Sequence, residues 1–115
     1  MNATRIDYWA ERMFFVSIQP SARTRKTYEY SLRILEAWLE SRGLSPIDLT
    51  PERAGDFVHE LEDRGRIAAG TKGHLSPSTV QTITKVCTRM YSSIEKRFAA
   101  IKNPFSAASK GRDGV

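Results

Sequence analysis

Apolar residues recur at helical spacing in four separate stretches of the chain. The longest lies in residues 76–104, where Val80, Ile83, Val86 with Cys87, Met90 with Tyr91, Ile94 and Phe98 form one stripe on a helix. Ser76 is a good N-cap, Pro77 fits the first helical position, where a missing N–H is harmless, and Pro104 is the expected stop. Residues 21–42 predict a second long helix with Ser21 as cap and Gly43 as C′ residue, burying Tyr28, Leu32, Ile34, Leu35, Trp38 and Leu39. Thr50, Pro51 and Glu52 open a helix whose inner face is Ala54, Phe57, Val58 and Leu61 and whose end is expected at Gly65. Residues 4–18 place Ile6, Trp9, Met13 and Val16 or Ile18 on one face, with Tyr8, Phe14 and Phe15 widening the arc. An arc that broad suits a helix sandwiched between others or one partly exposed for a partner protein, and core packing is the expectation, because aromatic stripes usually are core. Residues 66–75 hold two glycines, two cations and His74 without periodicity and read as a surface loop.

The polar faces carry a second signal. Ser78, Thr82, Lys85, Arg89, Ser92 and Lys96 follow one another at steps of three or four, a stripe of cations and hydroxyls with no acid, where a solvated face ordinarily mixes both signs. On the helix of residues 21–42, Arg23, Lys26, Thr27, Tyr30 and Arg33 point away from the apolar side. Its first turns are cationic, against the helix dipole. An external anion would relieve that penalty, although a solvated surface can tolerate a few tenths of a kcal/mol. Charge is also segregated along the chain. Residues 43–65 hold six acids against Arg53 and Arg64, whereas residues 66–112 hold nine cations against Glu95 alone, within a formal net charge of +5. This pattern points to a polyanion on one side, with the acidic third helix facing away from it.

Length and composition narrow the classes. The 115 residues suffice for one domain, and no apolar run approaches the ~20 residues needed to span a bilayer. The N-terminus lacks the apolar segment of a signal peptide, and the single cysteine, Cys87, sits inside an apolar stripe. A cytoplasmic, reducing compartment is expected, with Cys87 as a small core residue. His74 has no cysteine or histidine at ligand spacing and His59 lies among acids, so neither metal nor cofactor is expected.

The order of these signals resembles the N-terminal core-binding domain of tyrosine recombinases, also called phage integrases. The matching residues are Ser21, Thr24 and Tyr28 at the head of the second helix, then Leu35 and Trp38-Leu39 before Gly43. Leu49-Thr50-Pro51 and Phe57 follow, then Leu75-Ser76-Pro77-Ser78-Thr79-Val80, with Asn103-Pro104 closing the last helix. The resemblance runs from about residue 8 to Pro104. It implies an all-α SAM-like bundle of four or five helices in residues 1–104. Residues 105–115, small, polar and glycine-containing, are then a linker toward a C-terminal catalytic domain. It further implies double-stranded DNA and other recombinase protomers as partners, with the second and fourth helices at the major groove and no membrane. Carried onto this chain, Lys26, Thr27, Lys85 and Arg89 would contact phosphates, and Ser78, Thr79 and Thr82 would lie near base edges. The loop of residues 66–75 departs from the family by its length.

Family catalysis needs a tyrosine nucleophile with arginine, lysine and a His-x-x-Arg pair, all from the separate domain. Here His59 is followed at that spacing by Glu62, and His74 by Pro77, so this chain is expected to bind DNA without cutting it. The rival reading is a helical protein-interaction or assembly module, since a four-helix bundle supports many functions. A small helical enzyme is weaker still, for want of paired carboxylates or a nucleophile beside a base.

Overall fold

The computed structural model describes residues 6–67, with the side chains of 64–67 excepted, together with residues 76–98 and 101–105. Of the expected loop of residues 66–75, residues 68–75 with His74 lie outside the described residues, as does the tail of residues 106–115. The architecture is all-helical: α1 (Tyr8–Ser17), α2 (Ala22–Arg42), a 3-10 turn (Pro46–Asp48), α3 (Pro51–Ile67) and α4 (Pro77–Arg97). No strand occurs among the described residues.

The two long helices start by the same device. The Ser21 hydroxyl accepts the Thr24 N–H at 3.1 Å and donates to Thr24 Oγ1 at 2.9 Å, and Ser76 Oγ likewise accepts the Thr79 N–H at 3.1 Å and lies 2.9 Å from Thr79 Oγ1. Each is 21 residues long, and neither carries an acid in its first turn. Gly43 stops α2 at φ 67°, a left-handed conformation that favours glycine, and Leu44 N–H then reaches the Leu39 carbonyl at 2.9 Å.

α4 is the hub, touching α1, α2 and α3. Its predicted stripe from Val80 to Ile94 is buried throughout, Phe98 packs against its edge, and Cys87 is a fully buried free thiol whose burial pushes its pKa up. The stripe meets Tyr28, Leu32, Leu35 and Leu39 of α2 and Ala54, Phe57 and Leu61 of α3 in one cluster. Each fully buried Leu, Ile or Phe side chain contributes roughly 1.5–3 kcal/mol, so this shared face supplies most of what holds the bundle together.

Three boundaries differ from expectation. α3 runs through Gly65 to Ile67, because a single glycine inside a helix costs only about 1 kcal/mol relative to alanine. α4 ends at Arg97, well before Pro104, when Phe98 turns out of helical geometry with its N–H on the Ile94 carbonyl at 2.8 Å. Asn103 and Pro104 therefore do not close α4 but return along it. Asn103 Nδ2 donates to the Thr88 carbonyl and to Ser92 Oγ, both at 2.9 Å, and Asn103 Oδ1 accepts the Phe105 N–H at 2.9 Å. Phe105, placed at the start of the expected linker, is 1% exposed and packs edge-on to Phe57 and tilted on Tyr91.

The buried face of α1 also differs. Tyr8, Arg12 and Phe15 point inward, whereas Trp9 and Met13, expected in the core, are 58% and 68% exposed, with Phe14 and Ile18 also open. Arg12 can be buried because α2 supplies two carboxylates. Its Nε reaches Glu36 Oε2 at 2.6 Å and its Nη1 reaches Glu29 Oε1 at 2.9 Å. The Tyr8 hydroxyl donates to the same Glu36 oxygen at 2.6 Å, and its burial and that bond raise the phenol's pKa. Burial alone would lower the Arg12 pKa, but its bonds to Glu36 and Glu29 outweigh this and keep it charged.

Candidate nucleic-acid interface

Successive helical residues are about 100° apart, so positions 78, 82, 85, 89 and 96 fall within one narrow band opposite the core stripe. On α4 all five, Ser78, Thr82, Lys85, Arg89 and Lys96, are exposed. Ser92, the sixth member of the expected stripe, is half-buried and receives the Asn103 amide, so the returning segment covers one flank of α4 and leaves the other open. Gln81 is exposed beside Ser78 and Lys85 and has no hydrogen-bond partner among the described residues. It belongs to the same open surface, and only its amide, rather than a charge, marked it in the sequence.

The ion pairs separate two kinds of cation. Arg12 pairs with Glu29 and Glu36, Arg33 with Glu29, Arg53 with Asp56, Arg97 with Glu11, and Arg42 with Glu60. No acid lies within ion-pair distance of Arg23, Arg25, Lys26, Lys85, Arg89, Lys96 or Lys102 among the described residues. Six of these seven belong to the first turns of α2 or to α4, where the acid-free patterns lay in the sequence. Arg25 is held by the Gln19 carbonyl at 2.8 Å, which fastens the α1–α2 turn.

The candidate residues are not equally free. Lys26, Thr27, Ser78, Thr82, Lys85 and Arg89 are exposed, but Thr79 is half-buried with its hydroxyl engaged in the Ser76 cap. Thr82 Oγ1 donates to the Ser78 carbonyl at 3.1 Å, so it can offer an incoming group only its lone pairs. The two helices meet at one point of this surface, where Arg89 Nη1 donates to Tyr28 Oη at 2.9 Å. Lys26 itself lies about 160° around α2 from Tyr28, on the outer face with Tyr30. The Tyr28 link went unseen in the sequence because its partners are 61 residues apart.

The outward acids of α3, including Asp56, Glu60 and Asp63, are engaged with Arg53, Arg42 and His59 respectively. Among the described residues no group of three or more His, Cys, Asp or Glu side chains is placed to hold a metal ion, and no helix is long and apolar enough to cross a membrane. Comparison of the chain with protein-family models, with curated proteins and with solved structures gave no match.

Proposed function

We propose that this domain binds double-stranded DNA through the outer face of α4 and the first turns of α2, as the core-binding half of a tyrosine recombinase clamp. One observation carries the reading. Of the cations elsewhere in the described bundle, Arg12, Arg33, Arg42, Arg53 and Arg97 are matched by carboxylates and Lys102 is not, whereas Lys26, Lys85, Arg89 and Lys96 gather on two helix faces, exposed and unmatched. Unmatched cations beside free hydroxyls and an amide suit phosphates, whose binding releases counterions, and short polar side chains near a helix start suit base edges. The order of sequence signals shared with core-binding domains supports the recombinase assignment and assigns strand cleavage to a separate domain.

The test is a titration of random-sequence and cognate-candidate duplexes at several salt concentrations. Affinity should fall steeply with salt, with a log–log slope of about −0.9 per phosphate contacted. Salt-independent binding, or none, would defeat the reading, and a covalent DNA adduct formed by this chain alone would defeat the division of roles. A second reading, a protein-interaction module, is favoured by the apolar residues α1 exposes, Trp9, Met13, Phe14 and Ile18. It predicts partner binding that survives high salt.

A further inference from the structure

Tyr28 has a hydroxyl that its surroundings only half use. Its ring is buried and stacked on Phe15 of α1, with centroids 5.4 Å apart and planes 20° from parallel, so the position of Oη is fixed by two helices. Arg89 Nη1 donates to Oη at 2.9 Å. A guanidinium has donors and no acceptor, so the phenolic oxygen must accept this bond, and its own hydrogen has to be aimed elsewhere. No described residue accepts it. Arg89, for its part, is exposed, lies on the acid-free stripe of α4 and keeps its remaining N–H groups free of any described partner.

We infer that Tyr28 and Arg89 together form a phosphodiester clamp, in which the Tyr28 O–H and the free guanidinium N–H groups donate to the non-esterified oxygens of one backbone phosphate. This rests on the DNA-binding reading and names a residue of that site that the pattern assigned to the core. The inter-helix bond positions the guanidinium before the anion arrives, which reduces the side-chain entropy lost on binding. The bonded oxygen, polarised by the cation, makes its O–H a better donor. The clamp also ties α1 to the DNA surface through the Phe15–Tyr28 stack.

The experiment is a double-mutant cycle of Tyr28→Phe and Arg89→Ala, read by duplex affinity over a range of salt. Tyr28→Phe keeps the ring and its stack and removes only the hydroxyl. It should weaken binding about three- to tenfold, as expected for one hydrogen bond, with the salt slope nearly unchanged because no charge is lost. Arg89→Ala should lower the slope by about 0.9, and in that background Tyr28→Phe should have little further effect. Nuclear magnetic resonance of the free protein should show the Arg89 side chain more mobile in Tyr28→Phe, a change that a purely packing role would not produce. Wild-type affinity in Tyr28→Phe, or effects of the two substitutions that simply multiply, would overturn the clamp while leaving DNA binding intact. A wild-type protein without salt-dependent binding would overturn both.

Discussion

α1 and α4 use the same kinds of residue in opposite ways. α4 buries its aliphatic stripe and leaves Lys85, Arg89 and Lys96 open without a carboxylate, whereas α1 buries Arg12 against Glu29 and Glu36 and exposes Trp9 and Met13. A charge inside a protein must be paired, and pairing consumes it. The Arg12 cation is therefore spent on holding α1 to α2, whereas Lys85, Arg89 and Lys96 of α4 have no carboxylate partner among the described residues. The two regions should respond to substitution in opposite senses, one through stability and the other through binding.

The largest effect should follow from Arg12→Ala. It leaves two carboxylates facing a buried gap and removes the cation that shares Glu36 Oε2 with the Tyr8 hydroxyl. Breaking a buried pair from one side costs about 3–5 kcal/mol, and the partial exposure of Glu29 puts this case near the low end. Chemical denaturation with hydrogen exchange should show the loss concentrated in α1. A loss below about 1 kcal/mol would mean that Phe15 and Tyr8 alone dock the helix.

The same contact sets a pH dependence. The Arg12 bond holds the Glu29 carboxyl below its ordinary value of 4.5, outweighing the opposite pull of burial. A carboxyl depressed in the folded state contributes stability that is complete above the unfolded value and is lost as pH falls through the folded one. α1 should thus loosen in acid below about pH 4.5 while α4 stays protected, with Glu29→Gln flattening the response. The indole resonance of Trp9, whose ring lies 5.7 Å from the Arg12 guanidinium, reports on it directly. Loosening of α4 at the same pH as α1 would show that the bundle unfolds as one unit and that the contact has no local titration.

How much could be read in the sequence follows from where the determinants lie. The α4 stripe, its Ser76–Pro77 start and its acid-free face are local patterns, and all but Ser92 are found where the spacing put them. The inner face of α3 was equally legible. The orientation of α1 was not, because burying Arg12 depends on acids 17 and 24 residues away, and a pattern rule sends every arginine outward. The return of Asn103 and Phe105 was hidden for a similar reason. Pro104 signals a stop wherever it stands, and nothing local tells that the next residue fills a gap between Phe57 and Tyr91. Of the candidate residues, the exposure of Lys26, Thr27, Ser78, Thr82, Lys85 and Arg89 was legible, whereas the engagement of Thr79 in the Ser76 cap and the bond of Arg89 to Tyr28 were not.

On the α4 side, Lys85→Ala should leave stability within about 0.5 kcal/mol, since surface substitutions away from a structural feature do little, while Arg89→Ala, which loses the inter-helix bond to Tyr28, should cost about 0.5–1.5 kcal/mol. Each should lower the salt slope of duplex binding by about 0.9. The double variant separates the alternatives: an unchanged slope would remove the DNA from α4 and leave the interaction module as the better reading.

The smallest effect should come from the outer face of α1, and its size decides whether the inverted orientation is right. Had Trp9 and Met13 been core residues, truncating Met13 to alanine would cost about 2–5 kcal/mol. At 68% exposure it should instead stay within about 0.5 kcal/mol. Trp9→Gln should cost slightly more, because the Arg12 guanidinium over its ring adds roughly 0.5–1 kcal/mol at an exposed site. Neither change should alter the salt slope on DNA, as neither touches a cation of α4 or the first turns of α2. A Met13→Ala loss above about 2 kcal/mol would return α1 to the orientation that its apolar spacing alone suggested, and Arg12 would then have to be solvent-facing.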